Sequence, residues 1–216
     1  MTPEKTERLF TRSDGSFHFA RWGRPLAPVV FGTDDATLSI LKDTIREVAS
    51  LGDLRLTDAD PEFGANLLVF FVQDWTDLAG VPNLDRLIPD MAALLDRLGQ
   101  AGANQYRSFR FDEGGAISLC ILFLRMDAEL ADVPAQTLMT AQMVLSMLLW
   151  SDTAFQSESP VAQVTDSGHA VARPDVAALI RSAYDPVLPA VSHDPAHAHR
   201  LAARAGLLLG DLADEL

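Results

Sequence analysis

The sequence predicts an α+β fold, a single domain built on a mixed sheet of four to five strands. Helices pack on one side, and two C-terminal helices wrap onto the same core. Three observations carry this expectation. Strand-like and helix-like segments follow one another with no linker long enough to separate domains, so residues 1–216 read as one unit. A Gly-rich turn at 112–115 joins an alternating segment to a long apolar one, as in a hairpin. Residues 133–151 run nineteen positions without Asp, Glu, His, Lys or Arg in a chain of net charge −13. A helix that is apolar all round is buried all round.

The first twenty residues are polar, with Glu4, Lys5, Glu7, Arg8, Arg12 and Asp14 among them, and read as a flexible N-terminal segment. They hold no apolar export signal and no cysteine for lipid attachment, so the expected location is cytoplasmic. Residues 28–32 form a short apolar strand. Thr33 then caps a helix that carries Asp34 and Asp35 in its first turn and the stripe Leu38, Leu41, Ile45, Val48 on one face. Gly52 lies just past its end. Residues 54–57 alternate as a strand, 58–64 form an acidic loop, and 66–72 read as a fully apolar strand.

Asn83 opens a second helix with apolar positions from Leu84 to Leu98, which Pro89 bends or restarts. The hairpin follows, with 108–111 as the alternating strand and 116–125 as the apolar one. Asp132 is the natural N-cap of the charge-free helix, Pro134 sits in its first turn, and the helix spans 132–150 as a buried central element. Beyond a polar loop at 151–169, residues 174–184 form a helix stopped by Pro186, and Asp194 with Pro195 starts the last, whose stripe is Leu201, Ala205, Leu208 and Leu212.

Charge bounds the partners. With 30 Asp and Glu against 17 Lys and Arg, duplex nucleic acid is an unfavourable ligand, because a phosphate-binding surface must supply cations. Arg21, Arg24, Arg107 and Arg110 are the one candidate basic cluster, and acidic neighbours interrupt it. The single cysteine, Cys120, lies in an apolar run and reads as a small core residue. The charge-free stretch is long enough to span a membrane, yet Pro134, Gln136, Thr137, Thr140, Gln142 and Ser146 make it too polar, so no membrane partner is expected.

Chemistry-bearing clusters are weak. His193, His197 and His199 are the nearest approach to a metal site, but Asp194 and Pro195 place the helix start after His193, and no fourth ligand follows. Asp58, Asp60 and Glu62 lack the glycine and terminal Glu of a calcium loop. Asp166, Ser167 and His169 are neighbours only in sequence, whereas catalytic triads are assembled from distant elements. Trp22, Trp75 and Trp150 read as rings closing core edges. No residue is therefore assigned a catalytic, cofactor-binding or metal role, and no cofactor is expected.

Ala65, Asn66 and Leu67 with the strand after them, the strand-then-long-helix step at 117–150, Asp152–Thr153–x–Phe155, and the segment from Asp175 through Tyr184 to Leu188 follow one another in a suggestive order. Over about Arg21 to Ala203 the chain thus resembles a proteobacterial family of uncharacterised zincin-like lipoproteins. In that family the long helix carries adjacent carboxylates followed by a Gln. Gln142 matches the Gln, but Leu138 and Met139 stand where the carboxylates belong. The resemblance implies a non-catalytic zincin-like domain acting through protein or ligand binding, with the acidic surface or the 151–169 loop as contact region. The alternative is a hydrolase of another type using the loop carboxylates Asp58, Asp60, Asp74 and Asp152.

Overall fold

The structure, a computed structural model, describes residues 1–164 and 168–214. Its N-terminus departs from expectation. Residues 1–20 are not a loose segment: Thr2 caps α1 (Pro3–Phe10) by accepting from the Lys5 N–H at 3.2 Å, with Pro3 in the first turn. Thr6, Leu9 and Phe10 lie three and four positions apart, so one face of this short helix is buried. Phe10 is fully buried, edge-on to Phe19 at 5.2 Å and stacked on Trp150 at 5.3 Å.

β1 (Phe19–Ala20) is followed by β2 (Pro28–Phe31), α2 (Asp35–Ser50) and β3 (Leu67–Val72), and β2 and β3 pair in parallel as a β-α-β unit. Asp34, not Thr33, caps α2. The 54–57 segment contributes only a bridge, Leu56 to Leu26. After β3 comes a 3-10 turn, Trp75–Gly80, closed by a capping box between Asp74 and Asp77. Pro89 splits the next helix into α3 (Leu84–Leu87) and α4 (Met91–Gln100). β4 (Gln105–Phe111) and β5 (Ile117–Arg125) form the predicted hairpin.

The sheet order is β2-β3-β5-β4, with only β4 antiparallel to its neighbour. The α+β architecture with a mixed sheet is as expected, but helices close both faces rather than one. The reason is β5, where successive side chains point to opposite sides and both sets are apolar. Cys120, Leu122 and Leu124 join the larger core with α2 and the later helices. Leu119, Ile121 and Phe123 join a smaller core with Trp75, Leu78, Leu84, Leu94 and Leu98.

Next come α5 (Ala128–Ala131) and α6 (Ala135–Met147), the charge-free helix. It is shorter than the predicted 132–150. Asp132 closes α5 instead of opening α6, and Leu148 turns extended to bridge with Arg21. Leu138, Met139, Met143, Val144 and Met147 are all buried. β6 (Val161–Gln163) pairs with β7 (Ala170–Ala172), α7 (Pro174–Ala183) follows, β8 (Val191–Ser192) pairs with β1, and α8 (Ala196–Asp214) ends the chain against α1 and α7. No helix among the described residues is long and apolar enough to cross a membrane.

Candidate functional site

The site is built where α6 crosses the edge strand β4. Alternation along β4 sends Tyr106 to the smaller core and Phe109 to the larger one, while Arg110 donates to the carbonyls of Arg86 and Leu87 at the start of the smaller layer. Arg107 shares the face of Phe109, so its side chain runs under α6. There it meets the only polar pair on that part of the helix, Gln142 and Ser146, one turn apart. Arg107 Nε donates to Ser146 Oγ at 3.2 Å, and Nη2 donates to Gln142 Oε1 at 2.7 Å and, more weakly, to the Gln142 carbonyl at 3.4 Å. The Gln142 amide is held in this orientation because its NH2 donates to Gln105 Oε1 at 2.6 Å.

The guanidinium has no carboxylate within ion-pair distance among the described residues. Burial pulls its pKa below the ordinary arginine value, and only the weak influence of Cys120 acts the other way. Even so, an arginine starts so high that it stays charged. Its Nη1 has no hydrogen-bond partner among the described residues and is not sealed from solvent. Cys120, whose Sγ lies 3.8 Å from Ser146 Oγ, is pushed up to about 11 by burial and stays a neutral thiol.

Arg107 forms part of the wall of a cleft of about 520 Å³. Phe109, Leu145, Leu149 and Trp150 supply its apolar side, and Arg12, Ser13, Asp14, Ser151 and Asp152 its polar side. Asp152 accepts from the Ser13 N–H at 2.9 Å and from the Ser13 hydroxyl, which ties the 11–17 turn to the chain leaving α6. These bonds hold the Asp152 carboxyl below its ordinary pKa, as the Ser16 hydroxyl and N–H do for Asp14. Both therefore stay ionised. The cleft offers charge, hydrogen bonds and apolar surface, and Asp14 and Asp152 are the carboxylates in its lining.

The predicted candidates are dispersed. His193 packs against His18 with ring centres 4.5 Å apart, His197 is buried on Phe19 with neither ring nitrogen bonded, and exposed His199 lies 3.9 Å from Glu7. Among the described residues no three His, Cys, Asp or Glu side chains gather as a metal site. Asp60 accepts from the Glu62 and Phe63 N–H groups, the Asn66 amide and Arg24, Asp74 caps the 3-10 turn, and Asp152 binds Ser13. Asp58 is exposed in the same loop as Asp60. The four carboxylates are thus spread over three places. Of the Asp166, Ser167, His169 group, the first two lie outside the described residues.

The four arginines proposed as one basic cluster do not form one patch: Arg21 and Arg24 line a common cleft, whereas Arg107 and Arg110 lie on opposite faces of β4. Each tryptophan N–H donates to a main-chain carbonyl: Trp22 to Ser146 at 2.8 Å, Trp75 to Ala103 at 3.2 Å, Trp150 to Val144 at 3.0 Å. Only Trp150 also lines the Arg107 cleft. Sequence reasoning named Arg107 only as a member of an interrupted basic cluster, not as the centre of a cleft. The available signal was Gln142 and Ser146, spaced i and i+4 on a helix otherwise suited to apolar burial. Comparison with protein-family models, curated proteins and solved structures finds no match to this chain.

Proposed function

We propose that this chain is a non-catalytic binding domain whose ligand is a small organic carboxylate with an apolar body, held at Arg107. The observation that carries the reading is a partly buried guanidinium with no carboxylate within ion-pair distance among the described residues, opening on a cleft with one apolar wall. An unpaired charge removed from water is costly, and an anionic ligand offsets that cost with charge-assisted hydrogen bonds. The cleft volume falls in the range of small-molecule sites. Gln142 and Ser146 leave Nη1 free while fixing the rest of the guanidinium, which is the preorganisation that binding an oxyanion rewards.

The zincin-like layout belongs to the same proposal. On it, α6 stands where a peptidase would carry its metal ligands, and Gln142 and Ser146 there serve to orient an arginine. The test is calorimetric titration of the full chain with 3-phenylpropionate and with its neutral amide. The acid binds and the amide binds at least tenfold more weakly, since one charge-assisted contact is worth that or more. Equal affinity for the two, or no binding of the acid at millimolar concentration, overturns the reading. The comparison needs no variant, so it holds whatever Arg107 does for folding.

A further inference from the structure

Arg21 and Arg24, left unexplained by the Arg107 site, line a second cleft of about 390 Å³ with Arg55, Gly52, Asp53 and Tyr184. The backbone of Arg21 is fixed from two sides, its N–H donating to the Ala190 carbonyl and its carbonyl accepting from Ile117, each at 2.9 Å. Its guanidinium lies over the Tyr184 ring, 5.3 Å from the centroid, and Nη1 donates to the Trp22 carbonyl at 3.3 Å. Its Nε is buried and has no hydrogen-bond partner. Arg24 is tied to Glu62 at 2.9 Å and Asp60 at 3.4 Å. Neither Arg21 nor Arg55 has a carboxylate within ion-pair distance among the described residues.

Tyr184 serves as floor and not as an acid. Its hydroxyl donates to the Met147 carbonyl at 2.8 Å, and burial raises its pKa well above the ordinary phenol value. Gly52 makes room for it, since a Cβ there would stand 2.6 Å from the ring. The lining holds three guanidiniums and one carboxylate, in a chain of net charge −13. Asp60 and Glu62 already balance Arg24, so the cations open to an anion are Arg21 and Arg55, which lack ion-pair partners among the described residues.

We infer that this cleft binds a phosphate group, which Arg21 and Arg55 grip from different segments. Two planar guanidiniums match the oxygens of a tetrahedral dianion better than those of a single carboxylate. The volume exceeds what a bare phosphate fills, and Pro25, Leu54 and Pro186 offer apolar surface to whatever carries it. The site is independent of the Arg107 cleft, with which it shares no lining residue.

Calorimetric titration of the full chain with phenyl phosphate, inorganic phosphate and acetate tests it. Phenyl phosphate binds, acetate does not, Arg55→Gln lowers affinity about tenfold or more, and Asp53→Asn raises it. Arg55 is exposed, so its loss leaves the fold intact. Arg12→Gln, in the other cleft, leaves phosphate binding unchanged. Tighter binding of phenyl phosphate than of inorganic phosphate assigns the site to organic phosphomonoesters, and equal binding assigns it to the free ion. Absence of binding by both phosphates, or affinity untouched by Arg55→Gln, overturns the inference.

Discussion

Replacing Gln142 by Leu, Arg107 by Met, and both together separates a structural arginine from one kept for a ligand. Gln142→Leu deletes the 2.7 Å bond to Nη2 and leaves the charge with Ser146 Oγ and the weaker 3.4 Å contact to the helix carbonyl. A hydrogen bond to a charged group contributes about 1.5–3 kcal/mol, so the single variant loses about 2 kcal/mol. Gln105, the other partner of the lost amide, is exposed and rehydrates at little cost. Arg107→Met leaves Gln142 Oε1 without its donor, yet it also removes a partly buried cation that no carboxylate pairs with among the described residues. The two effects largely cancel, and the double variant, which removes both partners, lies within about 1 kcal/mol of the parent or above it.

Urea unfolding followed by tryptophan fluorescence and far-UV circular dichroism measures all three. For a chain of this size each kcal/mol moves the thermal midpoint by roughly 2–4 °C, so Gln142→Leu lowers it by roughly 4–8 °C. A double variant destabilised by about 4 kcal/mol or more would refute the reasoning. It would mean that Arg107 is a strut of the sheet–helix interface and that its exposed Nη1 is incidental.

Two further outcomes follow from the packing. Phe10→Ala empties a fully buried position between Phe19 and Trp150 and costs about 3–5 kcal/mol, measurable by the same urea titration; a neutral result would contradict the placement of α1 in the core. His197 is buried and held below its ordinary pKa of 6.5 by desolvation first and by Arg200 next, with Asp194 opposing; His18 is lowered by desolvation, His193 and Arg12. The unfolded chain therefore takes up protons on these rings at higher pH than the folded one, so stability is complete above about pH 6.5 and falls as pH drops below it. His197→Phe flattens that decline between about pH 7.5 and 5.5, and an unchanged slope would show that His197 does not titrate on unfolding.

The strands and long helices of the larger core were legible because their periods are strong. The apolar runs at β3 and β5, the stripe of α2, and the charge-free α6 each point to one solution, although the cap of α2 is Asp34 and not Thr33. The second helical layer was half-legible. A strand apolar on both faces demands cover on both, and β5 is such a strand, but the short and broken elements from Trp75 to Gln100 carry too few turns to announce it. α1 was hidden by its polar composition, although Thr2, Pro3 and the spacing of Thr6, Leu9 and Phe10 are a helix signature.

The site was less legible, for a physical reason. Which face an edge-strand residue takes depends on what covers the sheet, and that is decided by elements distant in sequence. Arg107 and Arg110 look alike in an alternating strand, yet one runs under α6 and the other caps carbonyls of α3. Arg55, far from Arg21 in sequence, joins it only through the fold.

The most direct measurement is the nuclear magnetic resonance of the arginine Nε–H groups, with Arg107 assigned by its loss in Arg107→Gln or, should that variant not fold, by its contacts to Gln142 and Ser146. On titration with 3-phenylpropionate the Arg107 resonance shifts in step with saturation while those of the ion-paired Arg24 and Arg173 stay fixed. An Arg107 resonance that stays fixed up to millimolar acid, or that moves no more than those of the ion-paired arginines, contradicts the account.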